Sequence, residues 1–361
     1  MFFLALNKHQ FEYFSKISSF LDKGEVSYPR FNLMGLLCLS WNDLKNIPWM
    51  DLVSEKCRER EVKNKYSGLF YKALVFIELF LFYFSMKYKV EKNGFDSIVM
   101  WNGSHRYQRV LSCLYKNRIK LVYFENGLLP NTTTCDLLGV NYLNSVPRDK
   151  EYYLDLYNTG VVSDYRMVSN LIPRSTRKVF EQIEVPDNYI FVPFQDDRDT
   201  QIRHFSPLFE NMRELYKFIS DELVSNDNFF VIKEHPSSRV DYSDLHYKHK
   251  NIIFANGNST QELISNSSAV LTINSTVGLE SILIGANVIT CGNAFYNIPE
   301  LVLHCSSKHE LKSVFIEGLR FKSNEKLRNS FLYYLNSIYC VPGDWKKPNI
   351  KHFEFIKERV L

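Results

Sequence analysis

The feature that most constrains this chain is a regular alternation of short apolar runs, rich in β-branched and aromatic residues, with longer stretches patterned as helices. Residues 1–6, 31–39, 97–101 and 120–124 read as strands, with helical patterns at about 8–22, 51–60, 65–90 and 104–117. A polar, irregular stretch then runs from about 126 to 187, carrying Pro130, Thr132-Thr133-Thr134, Pro147 and Pro173. The alternation restarts with strands at 189–193, 229–233, 252–254, 269–273 and 287–290. Helices are expected between and after them, at about 205–225, 259–266, 276–284, 307–319, 325–339 and 350–359. Strand–helix alternation builds βαβ units and mostly parallel sheets. The interruption predicts an α/β chain of two Rossmann-like lobes joined near residue 180. The expected boundaries are 1–180, 181–340, and a C-terminal helix in 341–361 able to pack back on the first lobe.

Length and charge agree with that picture. At ~150 residues per domain, 361 residues make about two domains. A chain with 45% hydrophobic and 23% charged residues is neither disordered nor fibrous. The net charge of +4 is too mild for a nucleic-acid binder but compatible with loose contact at an anionic membrane surface. The seven Cys are scattered without a CxxC pair, and the nine His form no HExxH, so neither a disulfide framework nor a structural zinc site is expected. Lys8, His9 and Glu12 follow the apolar start at once, which does not resemble a secretory signal. The apolar run 73–86 is broken by Glu78 and falls short of the ~20 residues of a span. A soluble, cytoplasmic chain is expected. The helix at 65–90 is apolar nearly all round, which favours a buried helix over a membrane face.

Ligands of such sheets bind beyond the carboxyl ends of strands, and four motifs fall there. Phe124-Glu125-Asn126-Gly127 ends a strand. Glu125 could act as a general acid or base with Gly127 allowing close approach, or the pair Asn-Gly could simply turn the chain. Pro193-Phe194-Gln195-Asp196-Asp197-Arg198-Asp199-Thr200-Gln201 places three carboxylates in four positions, suited to metal binding, helix capping or nucleophilic attack. Lys233-Glu234-His235-Pro236 presents a His able to donate to a phosphate oxygen, against the plainer reading of a core His. Asn274-Ser275-Thr276-Val277-Gly278-Leu279-Glu280 couples a strand end to a helix start. There hydroxyls and free amides form an anion site, with Glu280 one turn on in reach of a ribose diol. An ordinary N-cap accounts for Ser275 but leaves Gly278 and Glu280 unexplained.

Taken in order, these stretches resemble the bacterial capsule and O-antigen β-Kdo glycosyltransferases, which use CMP-Kdo. The matching residues are Glu125-Asn126-Gly127, Cys135-Asp136-Leu137-Leu138-Gly139-Val140-Asn141 through Ser145, Pro193-Phe194-Gln195 with Asp199-Thr200-Gln201-Ile202, Lys233-Glu234-His235-Pro236, and Asn274 through Glu280. Together they span about 97–292, and their order is more specific than any one of them. The resemblance implies a GT-B-like fold whose two parallel sheets face a central cleft, with acceptor on the first lobe and CMP-sugar on the second. It implies retaining transfer by double displacement. Asp199 would be the nucleophile, Glu125 the acid/base and His235 the stabiliser of the leaving phosphate. Gln195, Lys233, Asn274, Ser275, Thr276, Glu280, Gly127 and Asn141 would bind substrate, and Arg203 would help on charge. No metal and no cofactor beyond the donor CMP-Kdo is implied. The acceptor would be a glycan or glycolipid, met at the cytoplasmic face of the inner membrane. One catalytic unit implies one linkage. Two other functions remain open at this point, an inverting CMP-sialic acid transferase that needs no nucleophilic Asp199, and a non-catalytic partner in glycan assembly.

Overall fold

A computed structural model describes all residues except 62–64, 163–170, 172–179 and 226–227. The chain starts with β1 (Phe2–Leu4), α1 (Lys8–Leu21) and β2 (Glu25–Ser27). Asn7 opens α1 by accepting the Gln10 N–H at 3.0 Å, and Asp22 closes it in the left-handed region at φ 48°. Three helices follow, α2 (Trp41–Asn46), α3 (Trp49–Glu61) and α4 (Leu69–Lys92). Then come β3 (Ser97–Trp101), α5 (Arg106–Tyr115), β4 (Lys120–Asn126) and β5 (Thr132–Asp136).

The next elements are α6 (Lys150–Asn158), β6 (Tyr189–Pro193), α7 (Thr200–Phe205), α8 (Met212–Phe218), β7 (Phe229–Lys233) and β8 (Ile252–Phe254). They continue through α9 (Thr260–Ser265), β9 (Ala269–Thr272), α10 (Thr276–Ile284), β10 (Val288–Thr290) and β11 (Leu303–His304). Helices α11 (Lys308–Gly318) and α12 (Glu325–Tyr334) precede β12 (Val341–Pro342) and α13 (Ile350–Val360).

The chain divides into two units. The first comprises Met1–Gly127, Asn131–Ser145 and Cys340–Leu361, the second Leu128–Pro130 and Val146–Tyr339. The first unit's sheet has the order β12-β5-β4-β3-β1-β2. Its strands β4, β3, β1 and β2 are parallel, β5 runs antiparallel to β4, and β12, antiparallel to β5, points the same way as the other four. Alternate residues face opposite sides, as strand geometry requires. Phe2, Leu4, Ile98 and Met100 pack under α3, α4 and α5. Phe3, Val99, Val122 and Phe124 pack with Tyr13 and Phe14 of α1 and Ile356 of α13. Buried His352 on α13 donates from Nδ1 to the Pro342 carbonyl at 2.9 Å, so its Nε2 accepts the Tyr13 hydroxyl at 2.7 Å.

The second unit's sheet, β11-β10-β9-β6-β7-β8, is parallel throughout. Ile190, Val192, Phe230, Ile232 and Leu271 lie on one face, and Tyr189, Phe191, Val231 and Val270 on the other. Both faces are covered, which is why these strands read as continuous apolar runs.

Four expectations differ from the structure. The apolar run 31–39 is not a strand. It carries a 3₁₀ turn at Leu36–Cys38 and lies against α4, where a Cβ on Gly35 would fall 2.0 Å from the Phe84 carbonyl oxygen. The edge position goes instead to β2, whose polar sequence carries no strand signal. The stretch after 126 is not irregular throughout, because β4 extends to Asn126 and returns as β5, and 150–158 is helical. Pro173, named as part of that irregular stretch, lies outside the described residues. The single helix at about 205–225 breaks into α7 and α8, since Pro207 ends the first and Asn211 caps the second by accepting the Glu214 N–H at 3.0 Å. The second unit takes in Val146 onward rather than starting at 181, because Tyr153 on α6 packs edge-on to Phe331 and Tyr334 of α12 at 5.5 and 5.8 Å.

Candidate functional site

In the second unit β7, β6 and β9 are consecutive parallel neighbours, so their carboxyl ends lie side by side. The loops leaving them carry Gln195 to Asp199, Glu234 to Ser238, and Ile273 to Ser275. Gln195 and Asn274 join two of these loops. The Gln195 Nε2 donates to Asn274 Oδ1 at 2.9 Å, and the Asn274 N–H donates back to Gln195 Oε1 at 3.3 Å. Asn274 Nδ2 also donates to the carbonyls of Gln201 and Phe205, both at 3.0 Å. These two buried amides therefore hold the edge together, and their polar atoms face one another. The Gln201 side chain beside them is buried, and its Oε1 has no partner among the described residues.

The three aspartates have three environments. Asp196 receives the Arg198 guanidinium through Nε at 2.9 Å and Nη2 at 2.6 Å. Burial alone would raise its pKa, but the Arg198 bonds overcome it and hold the carboxyl below its ordinary range, with the charge of His235 adding to the effect. Arg198 also reaches the Ser237 carbonyl at 3.4 Å, which ties this turn to the one after β7. Asp197 accepts the Met212 N–H at 2.8 Å and the Tyr242 hydroxyl at 3.1 Å, and burial raises its pKa. Asp199 is exposed on its unit and is the N-cap of α7, accepting the Gln201 N–H through Oδ1 at 3.0 Å.

After β7, Lys233 donates from Nζ to the carbonyls of Asn256 and Asn258, each at 2.6 Å, and burial lowers its pKa. Two of its protons are thus taken up by backbone, and it clamps a loop rather than facing outward. His235 is half-buried, and its Nδ1 accepts the Ser237 N–H at 3.3 Å. Because Nδ1 accepts there, a neutral His235 carries its proton on Nε2, as a donor. After β9, buried Ser275 is the N-cap of α10, accepting the Val277 N–H at 3.1 Å, with exposed Thr276 at the first helical position. Gly278 has a packing cause. A Cβ there would stand 2.3 Å from the Tyr296 hydroxyl, which donates to the Ser275 carbonyl. Glu280 is half-buried one turn further on.

Glu125, Gly127 and Asn141 belong to the first unit. Glu125 stands at the end of β4, where its Oε1 accepts the Asn126 N–H at 2.9 Å and the Asn126 amide at 3.0 Å. Asn126 Oδ1 accepts the indole N–H of Trp345 at 2.9 Å, and the Trp345 ring lies 4.7 Å from that of Trp101 at the end of β3. Gly127 turns the β4–β5 hairpin, since a Cβ would fall 1.9 Å from Thr132 Oγ1. Asn141 sits at φ 56° in a loop organised by buried Asp136. That carboxylate accepts the Leu138, Gly139 and Ser145 N–H groups at 2.7, 3.1 and 2.8 Å, and the Ser145 hydroxyl at 2.8 Å.

Three groups escaped the sequence reading. Trp101 and Trp345 are far apart in the chain, so nothing local pairs them. Gln201 was visible only as part of a motif. At the ends of β10 and β11, the Thr290 hydroxyl donates to Asn297 Oδ1 at 2.8 Å and lies 3.0 Å from His304 Nδ1, and burial lowers the His304 pKa. Among the described residues no three His, Cys, Asp or Glu side chains are placed as a metal set.

Two parallel-sheet α/β units in one chain, with polar groups gathered at strand ends, define the GT-B-like class. Residues 165–313 match the family of capsule polysaccharide biosynthesis proteins. Protein FixF of Sinorhizobium fredii is 36% identical over 253 residues, 70% of this chain and 61% of FixF, so the match leaves over a third of that relative uncovered. Two solved structures from Thermosulfurimonas dismutans share the fold. The KpsC β-Kdo 2,4 transferase has a TM-score of 0.51 at 14% identity, covering 99% of this chain and 98% of its own. The KpsC β-Kdo 2,7 transferase has a TM-score of 0.50 at 15% identity, covering 94% and 91%.

Proposed function

We propose that this chain transfers Kdo from CMP-β-Kdo to a glycan or glycolipid acceptor of a surface polysaccharide, with retention, at the cytoplasmic face of the inner membrane. One observation carries the reading. Asp199, His235 and Ser275 leave three neighbouring parallel strands of a single sheet edge, inside the stretch matched to the capsule family. The Nε2–H of His235 and the start of α10 suit a leaving phosphate, and Gln201 Oε1 is an acceptor left open for the donor. In the first displacement the Asp199 carboxylate bonds to the anomeric carbon as the bond to the CMP oxygen breaks. In the second an acceptor hydroxyl, losing its proton to Glu125, bonds to that carbon and releases Asp199. Ser275, Thr276 and Glu280 would hold phosphate, carboxylate and ribose. Gln195, Asn274 and Lys233, expected to bind substrate, also tie this edge together through their own hydrogen bonds.

The capping bond of Asp199 favours a second reading, inverting transfer with Asp199 purely structural. Asn is as good an N-cap as Asp but is not a nucleophile. Asp199→Asn should therefore keep the thermal midpoint and abolish transfer from CMP-Kdo, while Glu125→Gln should accumulate a Kdo adduct on Asp199 by intact mass and peptide mapping. Full transfer by Asp199→Asn, or an adduct on another residue, would refute the retaining assignment. No CMP release with any donor would refute transfer altogether.

A further inference from the structure

Helix α4 has two halves with opposite surroundings. From Leu79 onward it is core, with Leu79, Phe82, Phe84 and Met86 buried and Lys87 bonded to buried Asp43. From Leu69 to Ile77 it presents apolar side chains to water. Leu69 is 87% and Phe70 78% exposed, and Leu74 and Ile77 are exposed as well. With Ala73 these positions recur at i, i+1, i+4, i+5 and i+8, a single helix face ~12 Å long. Helix α3 packs alongside through Trp49, 5.7 Å from Phe76, and adds exposed Met50. The segment lying on the second half of α4 adds exposed Met34, Leu36 and Trp41. Of 28 exposed large apolar side chains among the described residues, 14 fall between Tyr28 and Ile77. Such a concentration marks an interaction surface.

The charges name the partner. Between Glu61 and Glu78 the described charged residues are Lys65 and Lys72, both exposed and without an ion-pair partner among the described residues. Tyr66 is almost fully exposed, and Arg60 lies over the Tyr71 ring at 4.3 Å. Apolar side chains flanked by lysines, tyrosines and a tryptophan suit the boundary between acyl chains and headgroups. By length and composition α4 could cross a bilayer, but its second half is built into the core.

We infer that the Leu69–Ile77 face of α4, with the adjoining 33–50 segment, lies in the interface of an anionic lipid bilayer. This deepens the membrane-face reading above, and its test needs no sugar chemistry. The full chain is floated with phosphatidylcholine vesicles, with and without phosphatidylglycerol. It should rise only with the anionic vesicles, and less as salt increases. Phe70→Ser with Leu74→Ser should stay at the bottom, and Lys65→Gln with Lys72→Gln should bind about five-fold more weakly per lysine. All four positions are exposed, so circular dichroism and thermal midpoint should not change. Flotation with neither vesicle, or equally with both, overturns the inference. A dimer by light scattering that Phe70→Ser dissociates also overturns it, and gives the face to a second copy. Lost sugar transfer with intact flotation counts against the transferase reading alone.

Discussion

Gly278→Ala separates a glycine kept for packing from one kept for a ligand. The added Cβ would stand 2.3 Å from the Tyr296 hydroxyl oxygen and 2.8 Å from its Cζ. Tyr296 is 1% exposed, so the whole ring must shift in a filled interior. Overpacking of this kind costs about 1–3 kcal/mol. The shift also strains the hydrogen bond from Tyr296 to the Ser275 carbonyl, about 1 kcal/mol. Better helix propensity returns about 1 kcal/mol. The net expectation is a loss of about 1–3 kcal/mol, or roughly 3–10 °C for a unit of this size. Urea and thermal unfolding of Gly278→Ala, Tyr296→Phe and the double variant form the assay. Removing the hydroxyl relieves the closest contact, so the double variant should lose less than the two singles added, by about 0.5–1.5 kcal/mol. An unchanged midpoint in Gly278→Ala, with only donor binding weakened, would refute the packing argument and return Gly278 to the ligand site.

Asp43 is buried between Lys87 and Arg118; burial alone would raise its pKa, but their hydrogen bonds hold it low. Asp43→Ala should cost about 3–5 kcal/mol by urea unfolding because it strands the Lys87 ammonium, while Asp43→Leu with Lys87→Met should recover most of the loss. His105 has its pKa held at about 4 by burial and by the adjacent Arg106, against an ordinary 6.5. The unfolded chain therefore takes up this proton first as pH falls, and stability present above 6.5 is lost between 6.5 and 4, by up to about 3 kcal/mol. His105→Gln should flatten that slope in unfolding measured across the window. Asp136→Ala removes the acceptor of three backbone N–H groups, so amides 138–145 should lose hydrogen-exchange protection before the rest of the unit. If the first unit takes the acceptor, Trp345→Ala should raise the acceptor KM about ten-fold while leaving CMP-Kdo hydrolysis unchanged.

The fold was legible where the code is local. Strands Phe229–Lys233 and Ile252–Phe254 and helix Thr276–Ile284 lie where periodicity puts them, because both sheet faces are covered and each residue contributes to the signal. The pattern misled where apolar residues face water, as at Leu33 and Met34, and where a strand is built from threonines, as in β5. The site divides in the same way. Chemistry-bearing residues at strand ends were visible, but by residue type alone Asp196, Asp197 and Asp199 were alike, and only the family resemblance singled out Asp199. Arg198 is local to Asp196, yet Tyr242 lies 45 positions from the Asp197 it binds. Gln195 and Asn274, read as ligand contacts, bond each other across 79 positions.

The sequence by itself determined the alternating elements, the two parallel sheets and the loops that carry the polar groups, because propensity and periodicity are properties of neighbours along the chain. Only the tertiary structure decided which of those groups are tied down, why Gly278 cannot bear a side chain, and which half of α4 meets water. Hydrogen-bond partners and burial are set by residues brought close through folding, and no local pattern records them.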